Sequence, residues 1–399
     1  MKSWLKSRTL EEVLGQLFMV GIQSPRFSGD ADFLVNKIRA GGFILFKRNY
    51  QDPQQLAELC RRLQTGALES QGLPLLIAID QEGGRVLRLG PPFTQIPAPA
   101  EMAGGTDPGE TLRRYARITA RELKLAGISM NLSPVLDVNL RGPEGLMASR
   151  CLGTEPETVG RLGRLYISEL QRQGIMATAK HFPGIGDIEL DPHQDLPVQP
   201  KDQETLGQVE LVPFREALSV PVDAVMMTHT IYPAWDPRWP ASLSTALIAG
   251  LLRRGMGYRG LVITDDLEMG AIGRHFEIEE AVYRAFEAEA DILLICHDPE
   301  KIERAYRYLL QKFKEGRLSE SRLRDSVERV LFLKKKYLQK PFPPAAETIR
   351  AYFQQTSAVS KIKTKTNEQR TSNVEFKYEN SLPSSPWLRP TRSARPSRS

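Results

Sequence analysis

Ala179–Leu196 reads AKHFPGIGDIELDPHQDL and follows directly on a short apolar run, Gly174 to Ala179, with the length and composition of a buried strand. Lys180 and His181 stand where that strand ends. Beyond them come Pro183, Gly184, Gly186 and Pro192, three aspartates and a second histidine, without an apolar period, so the segment reads as a loop. The chain has only five histidines in 399 residues, and two of them fall within these thirteen positions. A buried strand that delivers charged side chains into a polar, turn-rich loop is how α/β folds build sites at the carboxyl ends of their strands.

The same motif repeats outward from this stretch. Apolar runs at Leu17 to Ile22, Gly42 to Phe46, Leu75 to Ile79 and Ser129 to Leu132 precede it, and runs at Ala224 to Met227, Leu261 to Ile263 and Ile292 to Ile295 follow. Helical periodicity lies between them, at Phe33 to Ile38, Asp52 to Leu63, Thr111 to Leu125, Glu157 to Gln171, Leu206 to Leu218, Leu243 to Arg253 and Ile278 to Ala288. Thr9 with Glu12 has the spacing of a capping box at the first helix, and Ile302 to Phe313 and Leu318 to Phe332 close the pattern. Continuous apolar strands alternating with helices predict a parallel sheet buried on both faces. Eight such units predict a (β/α)8 barrel of the TIM type. The open doubly wound alternative lacks a glycine fingerprint after its first strand.

Composition bounds the function. With 41% hydrophobic and 26% charged residues the chain is an ordinary globular protein. Ten Lys/Arg against four Asp/Glu fall in residues 341–399, which therefore carry the whole net charge of +6 and leave residues 1–340 neutral. A neutral body argues against a nucleic-acid-binding face. The expected domains are a barrel over 1–340 and a basic extension over 341–399. Of that extension, about 365–399 reads as disordered and 341–358 as a segment able to pack on the barrel; its composition specifies no partner. Glu11 and Glu12 interrupt the N-terminal segment, which does not read as a signal peptide, and no apolar run is long enough to span a membrane. Cys60, Cys151 and Cys296 are too scattered for a disulfide framework or thiolate zinc site. A monomer in the cytoplasm is the expectation.

Three constellations carry chemistry. Asp80 ends a strand before Gly83 and Gly84, which permit a tight turn, with Glu82 and Arg85 beside it. Asp191 and His193 sit two apart across Pro192, close enough for the carboxylate to fix the imidazole tautomer and hold its proton ready for transfer. Asp265, in TDDLEMGAI from Thr264 to Ile272, follows a buried strand directly and is placed to act as a nucleophile at an anomeric carbon. Magnesium on Asp265, Asp266 and Asp80 and zinc on His181, His193 and His229 are the metal-binding alternatives. The first needs a distant third carboxylate and the second lacks a compact histidine pair. No metal and no cofactor is expected.

Taken together, IDQEGGRV at Ile79 to Val86, Ser149–Arg150, KHFPG at Lys180 to Gly184, Asp191–His193 and TDDLEMGAI resemble glycoside hydrolase family 3, in its bacterial β-N-acetylhexosaminidase branch. The resemblance covers about residues 10–335. It implies a retaining glycosidase with Asp265 as nucleophile and His193, oriented by Asp191, as acid/base. Asp80, Arg150, Lys180 and His181 would hold the sugar, with His229 and Met269 lining the pocket and Arg85 in support. It implies an exo-acting enzyme on terminal β-linked N-acetylglucosamine, with muropeptide fragments as the expected source.

Relatives resembling β-glucosidases take their proton from a glutamate in a second α/β domain. The 59 residues after Lys340 are too few to build one, so the Asp191/His193 loop is the expected proton source. A β-glucosidase, a phosphorylase exploiting a neutral histidine, and an inactive sugar-binding barrel are the competing readings. The chain departs from the family loop at Ile185, where histidine is common, and at Pro192, where serine is.

Overall fold

A computed structural model describes residues 4–5, 7–339 and 343–355. The stretch of about 365–399 expected to be disordered lies outside the described residues. Among the described residues eight parallel strands form one sheet: β1 (Phe18–Gly21), β2 (Gly42–Leu45), β3 (Leu76–Ile79), β4 (Met130–Asn131), β5 (Met176–Phe182), β6 (Ala224–Met227), β7 (Leu261–Thr264) and β8 (Leu293–Ile295). Their order is β7-β6-β5-β4-β3-β2-β1-β8. A parallel bridge between Ile263 and Ile292, with the Thr264 N–H donating to the Ile292 carbonyl at 3.1 Å, joins β7 to the start of β8. The sheet thereby closes into the (β/α)8 barrel.

The strand pleat sorts each apolar run into two cores. Met19, Ile44, Leu76, Ala78, Met176 and Leu294 fill the barrel interior. Their neighbours Phe18, Val20, Phe43, Leu45, Ile77 and Leu293 pack outward against the helices. Helix Glu320–Tyr337 adds Val330 and Leu333 to the interior cluster. Its Tyr337 and Lys336 reach Asp223, just before β6, so this helix plugs the amino-terminal end of the barrel and the opposite mouth is left for a site.

Two local features differ from the sequence expectation. β5 runs to Phe182 rather than ending at Ala179. The segment after β4 keeps pairing with it: the Lys180 N–H donates to Pro134, and the Leu136 N–H donates to Lys180 at 2.6 Å. The expected helix Leu206 to Leu218 is two helices, Gln203–Gln208 and Leu211–Leu218. Helix 346–355 buries Ile349 and Phe353, and the Phe353 ring lies 4.6 Å from that of Phe93.

Candidate active site

The mouth of the barrel gathers charge from four strand ends. Because β5 continues past Ala179, Lys180 and His181 are both strand residues. Lys180, 2% exposed, places its Nζ 2.8 Å from Asp80 Oδ1 and 2.6 Å from Glu82 Oε1. Arg150, arriving from the loop after β4, grips Glu82 with both arms, Nε at 2.8 Å and Nη2 at 2.7 Å. The turn after Asp80 depends on glycine: Gly83 and Gly84 have φ of 117° and 55°, and a Cβ on Gly83 would stand 2.2 Å from the Pro97 carbonyl oxygen.

His181 is oriented from behind. Its Nδ1–H donates to Asp137 Oδ2 at 2.8 Å, which leaves Nε2 as the acceptor facing Arg150 Nη2 at 3.4 Å. Asp137 is fully buried and also accepts from the backbone N–H of Ile185 at 2.9 Å.

Asp265 follows β7 and is fixed by its backbone, whose N–H donates to the Met227 carbonyl at 3.0 Å; its Oδ1 accepts from the Asp266 N–H at 2.8 Å. Burial acts to raise its pKa, but His229, His181, the Asp266 N–H and Lys180 outweigh it and hold the carboxyl below its usual value. The same opposition keeps Glu82 ionised, with burial overcome by Lys180 and Arg150. Lys180 remains charged because Asp80 and Glu82 outweigh its desolvation. A carboxylate kept ionised among donors suits attack on an electrophilic carbon whose positive charge is developing.

Asp191 and His193 pair on the loop, with His193 Nδ1 2.8 Å from Asp191 Oδ1 and the His193 backbone N–H on the same oxygen at 2.9 Å. Burial raises the Asp191 pKa, but these bonds, the His193 ring and Arg150 more than reverse it. The His193 ring is 71% exposed, with its remaining nitrogen directed away from the dyad partner.

The structure brings Asp80, Arg150, Lys180 and His181 into one network. His229 is completely buried with both ring nitrogens engaged, Nδ1 with Ser242 Oγ at 2.7 Å and Nε2 with the Asp266 carbonyl at 2.9 Å. It can line a pocket but has no free nitrogen to offer a ligand. Burial lowers its pKa despite Asp265 and Asp266 nearby. Met269 is half-buried at the turn after Asp265, and Arg85 binds the Leu146 carbonyl at 2.5 Å. Among the described residues no group of three or more His, Cys, Asp or Glu side chains is arranged to hold a metal. Sequence reading missed Asp137 as a site residue and treated Glu82 only as a flank. The isolated carboxylate within the apolar SPVLDVN was the available signal for the first.

A closed parallel barrel with an ionised strand-end carboxylate, a buried network of Asp80, Glu82, Arg150 and Lys180 and a loop-borne imidazole has the layout of a (β/α)8 glycoside hydrolase. Residues 9–333 match the glycosyl hydrolase family 3 N terminal domain, and the chain belongs to that family. It is 37% identical over 303 residues to a β-hexosaminidase of Alkalilimnicola ehrlichii, covering 74% of this chain and 85% of that one. A β-hexosaminidase of Nitrosomonas eutropha is 35% identical over 278 residues, 68% of this chain and 78% of that protein. Among solved structures, a family 3 β-N-acetylglucosaminidase from Paenibacillus sp. superposes with a TM-score of 0.81 at 39% identity, covering 88% of this chain and 68% of that one. A β-N-acetylhexosaminidase from Beutenbergia cavernae superposes with a TM-score of 0.77 at 27% identity, covering 82% and 99%.

Proposed function

We propose that this chain is a retaining exo-β-N-acetylhexosaminidase that releases terminal, non-reducing β-linked N-acetylglucosamine, with muropeptide fragments as its source. Asp265 attacks the anomeric carbon as the glycosidic C–O bond breaks, while His193, oriented by Asp191, gives its proton to the departing oxygen. The glycosyl-enzyme ester is then cleaved by water whose proton His193 takes back, restoring both groups. Asp80, Arg150, Lys180 and His181 hold the hydroxyls, and His229 and Met269 shape the pocket.

The observation that carries this reading is the placement of Asp265, fixed directly after β7 by its backbone N–H on the Met227 carbonyl and by its Oδ1 on the Asp266 N–H. The names of the relatives support the choice of sugar. Every proposed group comes from one chain, so the proposal takes a monomer. Among the described residues no helix is long and apolar enough to cross a membrane. Three buried, unpaired cysteines fit a reducing compartment, and we place the protein in the cytoplasm.

Release of p-nitrophenol from its β-N-acetylglucosaminide, abolished by Asp265→Ala, tests the proposal. Turnover of the β-glucoside alone would reject the sugar assignment, and formation of sugar 1-phosphate in phosphate buffer would reject water as acceptor.

A further inference from the structure

The loop tip that carries Asp191 and His193 is seated on the segment that follows Asp265. The Ala271 N–H donates to the Pro192 carbonyl at 2.9 Å. At Gly270 the two backbones approach so closely that a Cβ would stand 2.5 Å from the His193 carbonyl oxygen and 2.8 Å from that of Gln194. Asp195 Oδ1 lies 2.5 Å from His275 Nε2, making a second imidazole–carboxylate pair two residues beyond the first. The His275 bond and the Leu196 N–H hold the Asp195 carboxyl below its usual pKa. The anchoring side is itself braced: the His275 N–H bonds to the Ile272 carbonyl at 2.9 Å, and the neighbouring Phe276 ring lies 5.4 Å from that of Trp239.

Resting on the assignment of His193 as proton donor, we propose that Asp195 and His275 are positioning residues which, with Gly270, set the placement of His193 relative to Asp265. The Asp191 bond orients the imidazole within its own loop and leaves the loop's position over the barrel to other contacts. Asp195 and His275 supply one from the tip to the segment running on from the nucleophile. Proton donation requires the donor within hydrogen-bond reach of the leaving oxygen, and a displacement of about 1 Å is enough to cost on the order of a hundredfold in rate. Neither residue needs to touch the sugar for this role. Their loss is therefore felt in protonation of the leaving group rather than in sugar binding.

The test is kcat/KM, which reports formation of the glycosyl-enzyme, across aryl β-N-acetylglucosaminides of graded leaving-group acidity. A dinitrophenolate departs without a proton, whereas a methoxyphenolate needs one. Asp195→Ala and His275→Ala are each expected to lower kcat/KM about 10- to 100-fold on the methoxyphenyl substrate and by less than about threefold on the dinitrophenyl one. The double variant is expected to be no slower than the single ones, and Asp195→Asn, which keeps a hydrogen-bonding oxygen, to recover part of the loss. An equal loss on every substrate, no loss, or additive losses would overturn the positioning role. His193→Ala separates the two levels. If it shows no dependence on the leaving group, the donor assignment falls and this proposal with it; if it does and the pair variants do not, only the positioning role falls.

Discussion

His181 Nδ1 lies 2.8 Å from Oδ2 of Asp137, a carboxylate with no solvent exposure. The contact fixes which imidazole nitrogen carries the proton and turns the other toward Arg150 and the barrel mouth. Asp137→Asn keeps the shape but presents an amide N–H to Nδ1, favouring the opposite tautomer. We expect kcat/KM on p-nitrophenyl β-N-acetylglucosaminide to fall about 10- to 100-fold, as for other groups that orient a functional histidine. Steady-state kinetics on the folded variant measures this.

Glu82 is the shared counter-charge of Lys180 and Arg150. Glu82→Gln takes from Arg150 its paired carboxylate, leaves Lys180 with Asp80 alone, and is expected to cost about 3–5 kcal/mol of stability, read from urea unfolding. Its folded pKa is depressed, so the stabilisation it gives is complete above the ordinary glutamate range. That stabilisation is lost progressively as pH falls below the range, because the unfolded chain then takes up the proton first.

Lys334 gives the opposite pH signature. It is 2% exposed in the helix that plugs the barrel, with its Nζ 2.7 Å from Gln16 Oε1, and burial lowers its pKa from 10.5 to about 7. Between those values the unfolded chain binds a proton that the folded chain does not, so this residue's penalty is full below about 7 and fades as pH rises toward 10.5. Lys334→Met should raise the melting temperature most near neutral pH and progressively less in alkali. Scanning calorimetry across pH measures the difference.

Ile185 sits in a small apolar cluster with Val135, Met147, Cys151 and Ile188 that joins the two loops over β4 and β5. Restoring the histidine common in the family, Ile185→His, would bury an imidazole there and is expected to destabilise the protein by about 1–3 kcal/mol. Chemical unfolding checks this, and unchanged stability would show that the cluster does not depend on the isoleucine.

The strands were legible because each parallel strand is an unbroken apolar run whose two faces are both buried, from Phe18–Gly21 round to Leu293–Ile295. Lys180 and His181 escaped that rule. Charged residues end an apolar run on paper, yet here they continue the strand because their partners, Asp80 and Asp137, arrive from 100 and 44 residues away. Glu82 was hidden for the same reason, since its role is set by Arg150 at a separation of 68 residues. The Asp191 and His193 pair was legible because its geometry is local, set by two positions across a proline. The engagement of both His229 nitrogens was not, because it depends on Ser242 and on a carbonyl of another strand end.

The covalent bond between Asp265 and the sugar is the step on which hydrolysis with retention depends. It is tested most directly by incubating the protein with a slow, fluorinated N-acetylglucosaminyl substrate, quenching in acid and mapping the modified peptide by mass spectrometry. One sugar per chain is expected, attached to the peptide containing Asp265 and absent from Asp265→Asn. Product release without any labelled peptide, with the freed sugar first appearing as the α anomer, would contradict it.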